Sequence, residues 1–292
     1  VNIALYGHTL RPEYNTTLRH FFSFLAHKNV TVSIAARFSH VLKTVFGVQH
    51  QFVEFQEELG LPAETDVLVS LGGDGTTLGA ALLVKDSGIP ILGLNLGRLG
   101  FLASIPPEQL EEALEQVLAR NYRLDPRTLV GVTTDGQPFG AHAFALNEIT
   151  VLKKDSSSMV TIQCWIDDEF FNAYWADGLI VSTPTGSTGY SLSCGGPILL
   201  PQSPSLVLTP IAPHNLNVRP VVIPDTSTIR LKVTSRTSDF LVSLDSRSFH
   251  FSEGKDLTLQ KMRFHVNFIQ LASNTFTETL RNKLLWGVDK RN

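Results

Sequence analysis

Leu68-Val69-Ser70-Leu71-Gly72-Gly73-Asp74-Gly75-Thr76-Thr77 decides how the first half of this chain folds. The apolar run at 67–71 reads as a buried strand, and 78–84 reads as the helix that follows it. A strand, a glycine turn and a helix start together make a phosphate-binding geometry. Glycines let the backbone approach an anion, and the free N–H groups of a helix start attract it. No Gly-Lys-Ser/Thr follows, so this is not a Walker A loop. Gly72, Gly75 and Gly79 have the wrong spacing for a dinucleotide fingerprint. Asp74 is the unusual member. Its carboxylate would repel phosphates unless it holds a cation or accepts a proton from an attacking hydroxyl. The plainer alternative is that Asp74 and Thr76 cap the helix.

Outward from this stretch, short apolar runs alternate with segments of helical period. Residues 1–6, 30–35 and 89–94 read as strands. Leu18, Phe21, Phe22 and Leu25 share one helix face; Phe38, Val41, Leu42 and Val45 share another. Pro107 opens a helix carrying Leu110, Ala113, Leu114, Val117 and Leu118. Such alternation predicts a parallel sheet with helices on its faces. After Pro126 strand follows strand. Asp135-Gly136 signals a hairpin, 159–166 alternates, Asp167-Asp168-Glu169 turns the chain, and 229–233 and 240–244 alternate again. The expected fold is an α/β N-terminal domain with a parallel sheet plus a C-terminal all-β, sandwich-like domain. The expected division is 1–126 for the α/β nucleotide-phosphate domain and 127–272 for the β-rich domain. A helix around 277–286, within 273–292, is expected to complete the first.

The composition is that of a globular protein: 292 residues, 43% hydrophobic, 17% charged, formal net charge −3. That charge argues against a nucleic-acid partner. Two cysteines and nine scattered histidines give neither a disulfide framework nor a metal-ligand cluster, so no protein-ligated metal is expected. The longest apolar candidate, 89–105, is interrupted by Asn95, Arg98 and glycines, so no membrane span and no membrane partner are expected. With no leader-like stretch, the expected location is the cytoplasm.

Two further stretches carry chemistry. Asn95-Leu96-Gly97-Arg98-Leu99-Gly100-Phe101-Leu102 follows the strand at 89–94 and should lie at the same carboxyl edge of the sheet as Gly72–Thr76, where open parallel sheets bind ligands. On its own it reads as a glycine-rich connection whose Phe101 plugs the core. Asp177-Gly178-Leu179-Ile180-Val181-Ser182-Thr183-Pro184-Thr185-Gly186-Ser187-Thr188-Gly189-Tyr190-Ser191-Leu192-Ser193 runs from a strand into dense hydroxyls and glycines, fit for a polar ligand, with Tyr190 able to face a ring.

Taken together, GGDGT, NLGxLGFL, Asn147-Glu148 and DGLIVSTPTGSTGYSLS resemble the NAD kinase family in order and spacing. So do the stretches Thr209–His214, Arg219–Pro224 and Leu280–Gly287. The resemblance runs from about Asp66 onward and is weaker before it. It implies phosphorylation of the adenosine 2′-hydroxyl of NAD by ATP with Mg²⁺ or another divalent cation, in a homodimer or homotetramer whose site lies between domains and is partly shared between subunits. By motif, Asp74 would be the proton acceptor, and Gly72, Gly73, Gly75 and Thr76 would cradle the ATP phosphates. Asn147 and Glu148 would bind the dinucleotide, Thr188, Gly189, Tyr190 and Ser193 would surround adenine, and Asp177 would bind a polar substrate edge. Phe101 and Ala212 would line the pocket, with Trp175 near it. The metal would be held through the phosphates. Gly189 and Cys194 stand where the family usually has Ala. Arg247 replaces a common Gln at a candidate substrate position, where it would bear on NAD against NADH. Two rival readings remain: another GGDG-type kinase acting on lipid or diacylglycerol, and a non-catalytic NAD(P)(H) sensor.

Overall fold

The computed structural model describes every residue except 9, 29, 49–51, 98, 137, 155–158, 236–238, 273 and 287–292. The chain opens as β1 (Asn2–Gly7), α1 (Asn15–His27), β2 (Thr31–Ala35), α2 (Ala36–Phe46), β3 (Val53–Phe55), β4 (Val67–Gly72), α3 (Asp74–Val84), β5 (Ile91–Asn95), α4 (Leu110–Leu118) and β6 (Arg123–Arg127). α1 buries Leu18, Phe21, Phe22 and Leu25, the stripe its sequence spells out. α2 is rotated from the expected face. It buries Phe38, Leu42 and Phe46 and leaves Val45 exposed, because a phenylalanine removes more apolar surface from water than a valine. β4 is buried along its whole length, as a mostly apolar run demands of a strand covered on both faces, and its one hydroxyl, Ser70, is bonded to Thr77 Oγ1.

From there the chain is almost entirely strand: β7 (Val130–Thr133), β8 (Phe144–Ala145), β9 (Glu148–Lys153), β10 (Val160–Ile166), β11 (Glu169–Ala176), β12 (Gly178–Ser182), the short α5 (Tyr190–Ser193), β13 (Ser205–Ile211), β14 (Val221–Pro224), β15 (Ile229–Ser235), β16 (Asp239–Leu244), β17 (Arg247–Ser252) and β18 (Asp256–Lys261). They form two antiparallel six-stranded sheets, ordered β11-β10-β15-β18-β7-β8 and β14-β13-β12-β9-β16-β17. Alternate residues of both sheets, among them Val160, Ile162, Leu231, Val233, Ile149, Val151, Leu179 and Val242, make one apolar core. Asp167 and Asp168 both take left-handed backbone (φ 51° and 65°), as a two-residue hairpin between β10 and β11 requires. Asp135-Gly136 does turn, but not as a tight hairpin. β7 pairs with β8 across the long connection 134–143, and its other edge pairs with β18, where Thr134 Oγ1 donates to Asp256 O.

β19 (Val266–Gln270) and α6 (Phe276–Leu284) close the chain. β19 pairs parallel with β5, giving a seven-stranded sheet ordered β3-β2-β1-β4-β5-β19-β6. The molecule thus divides into Val1–Pro126 with Val266–Asn292 as one compact unit, and Arg127–His265 as the other. Gly72 pairs with Asn95, so the two glycine-rich stretches leave neighbouring strands at the same carboxyl edge. No helix among the described residues is long and apolar enough to cross a membrane.

Candidate active site

In the first unit, everything converges on Asp74. Gly73 is the N-cap of α3 without a side-chain cap bond, and Asp74 is the first helical residue. Neither Asp74 nor Thr76 therefore caps the helix. The first intrahelical bond runs from Thr77 N to Gly73 O (3.1 Å), which leaves the amides of Asp74, Gly75 and Thr76 ahead of the ladder. The Asp74 carboxylate turns the other way, into the loop after β5. Its Oδ2 accepts the N–H of Phe101 (2.9 Å), and its Oδ1 accepts those of Leu102 (2.9 Å) and Ala103 (3.0 Å). The loop is shaped for this by Gly100 N donating to Ala103 O and by Leu96 N donating to Gly72 O. A Cβ on Gly100 would fall on Asp74 Oδ1, so only glycine leaves room for the carboxylate. Phe101 does not plug the core. It is half-buried, with its ring beside Phe276 of α6 and Lys283 Nζ 4.5 Å from its centroid. Lys283 Nζ also lies 3.5 Å from Asp74 Oδ2. A carboxylate has about four acceptor sites. Among the described residues, three are filled by amides, and the one left is on Oδ2.

The second unit repeats the device. Asp245, at φ 51° after β16, accepts the N–H of Leu146 (2.9 Å), Asn147 (2.8 Å) and Glu148 (3.2 Å). That fixes the Asn147-Glu148 pair at the start of β9. Thr183 Oγ1 donates to Leu146 O (2.6 Å) and Thr183 N to Asn147 O (2.9 Å), tying the hydroxyl-rich run to the same loop. Burial pushes the Glu148 carboxyl up to about 8, with the neighbouring Asp245 adding to the rise and the Tyr190 amide opposing it. Asn147 Oδ1 and Glu148 Oε2 are buried and, among the described residues, have no hydrogen-bond partner. Buried polar atoms are ordinarily paired with protein, ligand or ordered water, so these two are open to a polar partner. Burial also raises the Asp245 carboxyl, against its three amides and Arg247.

The hydroxyl-rich run sorts itself by burial. Thr183, Ser187 and Ser191 are buried and internally bonded: Ser187 Oγ to Pro184 O (2.6 Å), Ser191 Oγ to Thr209 Oγ1 (2.7 Å). They are scaffold. Thr188 and Gly189 are half-buried, while Tyr190 and Ser193 face solvent. Gly189 lies against Glu148, where a Cβ would come within 3.1 Å of Oε2. Asp177 is ion-paired with Lys153 (2.7 Å), a partner the sequence did not announce. Trp175 is exposed, its ring 4.1 Å from that of His214. Ala212 is exposed at the end of β13 in left-handed backbone (φ 42°), a conformation that non-glycine residues seldom adopt. Arg247 donates to the carbonyls of His142 (2.7 Å) and Phe144, which commits its guanidinium to the segment leading into Leu146. Sequence reasoning passed over Asp245 and Lys283. Asp245 followed an apolar strand, but nothing local said that it would clasp residues almost a hundred positions earlier. Arg98 and Gly287 lie outside the described residues.

Residues 3–122 match the ATP-NAD kinase N-terminal domain family, and residues 146–271 match the ATP-NAD kinase C-terminal domain. The chain belongs to the NAD kinase family. It is similar to the NAD kinase of Flavobacterium psychrophilum, at 47% identity covering 100% of both chains, and to that of Bacteroides fragilis, at 40% identity covering 100% of both. A crystal structure of an NAD kinase from Archaeoglobus fulgidus in complex with ATP superposes with a TM-score of 0.74 at 27% identity, covering 97% of each chain. Yeast NADH kinase complexed with NADH shares the fold, with a TM-score of 0.84 at 24% identity over 99% of this chain and 88% of that one. The NAD kinase fold thus accounts for both units: the parallel sheet with its helices and the antiparallel sheets.

Proposed function

We propose that this member of the NAD kinase family transfers the terminal phosphoryl group of ATP to the 2′-hydroxyl of the adenosine ribose of NAD, giving NADP. The observation that carries the reading is the Asp74 clamp. The carboxylate stands at the carboxyl edge of β4 with its orientation set by amides and one acceptor site open on Oδ2. A substrate hydroxyl donating to that site is held in line, and its proton passes to Asp74 as its oxygen bonds to the γ-phosphorus, the bond to the β,γ-bridging oxygen breaks and ADP leaves. The amides of Asp74, Gly75 and Thr76 support phosphate binding by Gly72–Thr76 at the start of α3. In the other unit, the orphaned Asn147 Oδ1 and Glu148 Oε2 suit the dinucleotide's hydroxyl and amide groups. The half-buried Thr188 and Gly189 and the exposed Tyr190 and Ser193 suit adenine, and Asp177, Trp175 and Ala212 are assigned places around it.

Among the described residues, no group of three or more His, Cys, Asp or Glu is placed to hold a metal. In this proposal Mg²⁺ would be held through the ATP phosphates, with Asp74 as the carboxylate that the Gly72–Thr76 turn itself carries. Bound there, it would neutralise charge on the phosphoryl oxygens. A cytoplasmic homo-oligomer is part of the same proposal. The test is NADP formation from NAD, ATP and Mg²⁺, read with an NADP-specific dehydrogenase. Turnover supports the reading. Saturable NAD binding without turnover would replace it with a sensor, and activity on lipid hydroxyls alone would replace it with a lipid kinase.

A further inference from the structure

We infer that Lys283, near the C-terminal end of α6, is a positioning residue for the phosphoryl transfer and acts through Asp74; this rests on Asp74 being the proton acceptor. Four observations meet at this point. Lys283 Nζ lies 3.5 Å from Asp74 Oδ2, the oxygen that retains an open acceptor site. The same ammonium sits over the Phe101 ring at 4.5 Å, so it is fixed between the carboxylate and an aromatic face. Phe101 also supplies an amide to Oδ2, which makes ring, amide, carboxylate and ammonium one contiguous cluster. The start of α6 is tied to the same loop, with Asn274 Nδ2 donating to Ser104 O (2.8 Å) and Phe276 beside Phe101.

The chemistry follows from the distances. At 3.5 Å the ammonium is too far to fill the open site as a good hydrogen bond, but close enough to bias which way that lone pair is presented. Lys283 stabilises the carboxylate in one orientation and leaves room for a hydroxyl donor beside it. Both side chains are 32% exposed, so the site is open to substrate. Thr275 caps the helix by accepting from Glu278 N, and Thr279 and Leu280 anchor its buried face, so the ammonium is delivered from a fixed support. A cation in the last turn also suits the helix dipole.

The experiment compares Lys283→Met, Lys283→Arg and Lys283→Cys, the last before and after alkylation with bromoethylamine, with equally treated wild type as control for Cys194. Lys283→Met is expected to lower kcat by about tenfold or more while KM for NAD stays within about twofold, the mark of an interaction realised in the transition state. Arginine and the aminoethylated cysteine are expected to recover most of the loss. In single turnovers on an Asp74→Asn background, Lys283→Met is expected to cost little more, because its target is gone. An unchanged kcat in Lys283→Met, a change confined to KM, no recovery on aminoethylation, or an equal loss in both backgrounds would each overturn the inference. Failure of the Asp74 assignment is seen separately, as a near-normal kcat for Asp74→Asn alone.

Discussion

Glu148 shows how burial rewrites the chemistry of one side chain. Its carboxyl stands at about 8 against an ordinary value near 4.5, because desolvation and the neighbouring Asp245 both oppose its charge. Between those two values the unfolded chain releases the proton and the folded chain keeps it. Stability therefore falls as pH rises through this window. Glu148→Gln removes the penalty. Its Tm relative to wild type is expected to be nearly level at pH 5 and to climb towards pH 8.5, by about 2–4 °C for each kcal/mol recovered. A pH-independent difference would contradict the raised value. At this scale the sequence was partly readable. The family resemblance picked out Asn147-Glu148 as a pair, while the exposure of Tyr190 and Ser193 comes from the structure. What the sequence could not show is that Asp245 and Arg247 hold the backbone around that pair, since both act through contacts to carbonyls and amides about a hundred residues away.

The elements that matter most are the two loops leaving β4 and β5. Their strands were legible because short runs dominated by Val, Ile and Leu have few other folds available, and their common edge followed from the parallel order. The direction of the Asp74 carboxylate was not legible. A helix-start aspartate ordinarily faces its own helix's amides, and here the loop amides of Phe101, Leu102 and Ala103 win because three fixed donors outcompete a single capping bond. Gly100 makes the arrangement possible. Gly100→Ala is expected to push the carboxylate out of its clamp and lower kcat by about 10²-fold, the order that a misplacement of about 1 Å can cost. ATP and NAD affinity should change far less. A Gly100→Ala protein with wild-type kcat would mean that the clamp is not the reactive conformation.

Over the whole molecule, the chain leaves its first unit at Pro126 and returns to it at Val266. The sequence places a boundary at Pro126, because strand follows strand afterwards. The return was harder to read: β19 looks like any other strand of the all-β region, and only its pairing with β5 assigns it to the parallel sheet. That return has a consequence for function, because α6 comes with it and brings Lys283 to Asp74 from 209 positions further along the chain. Local pattern cannot foresee such a contact, which depends on how seven strands are ordered. The proposed phosphoryl transfer depends above all on Asp74 as the group that orients and deprotonates the hydroxyl. The most direct measurement is kcat of Asp74→Asn for NADP formation, with NAD binding measured on the same protein. The expected result is a fall of at least about 10²-fold with binding retained, the order typical of a lost proton acceptor. Near-normal kcat would contradict the account.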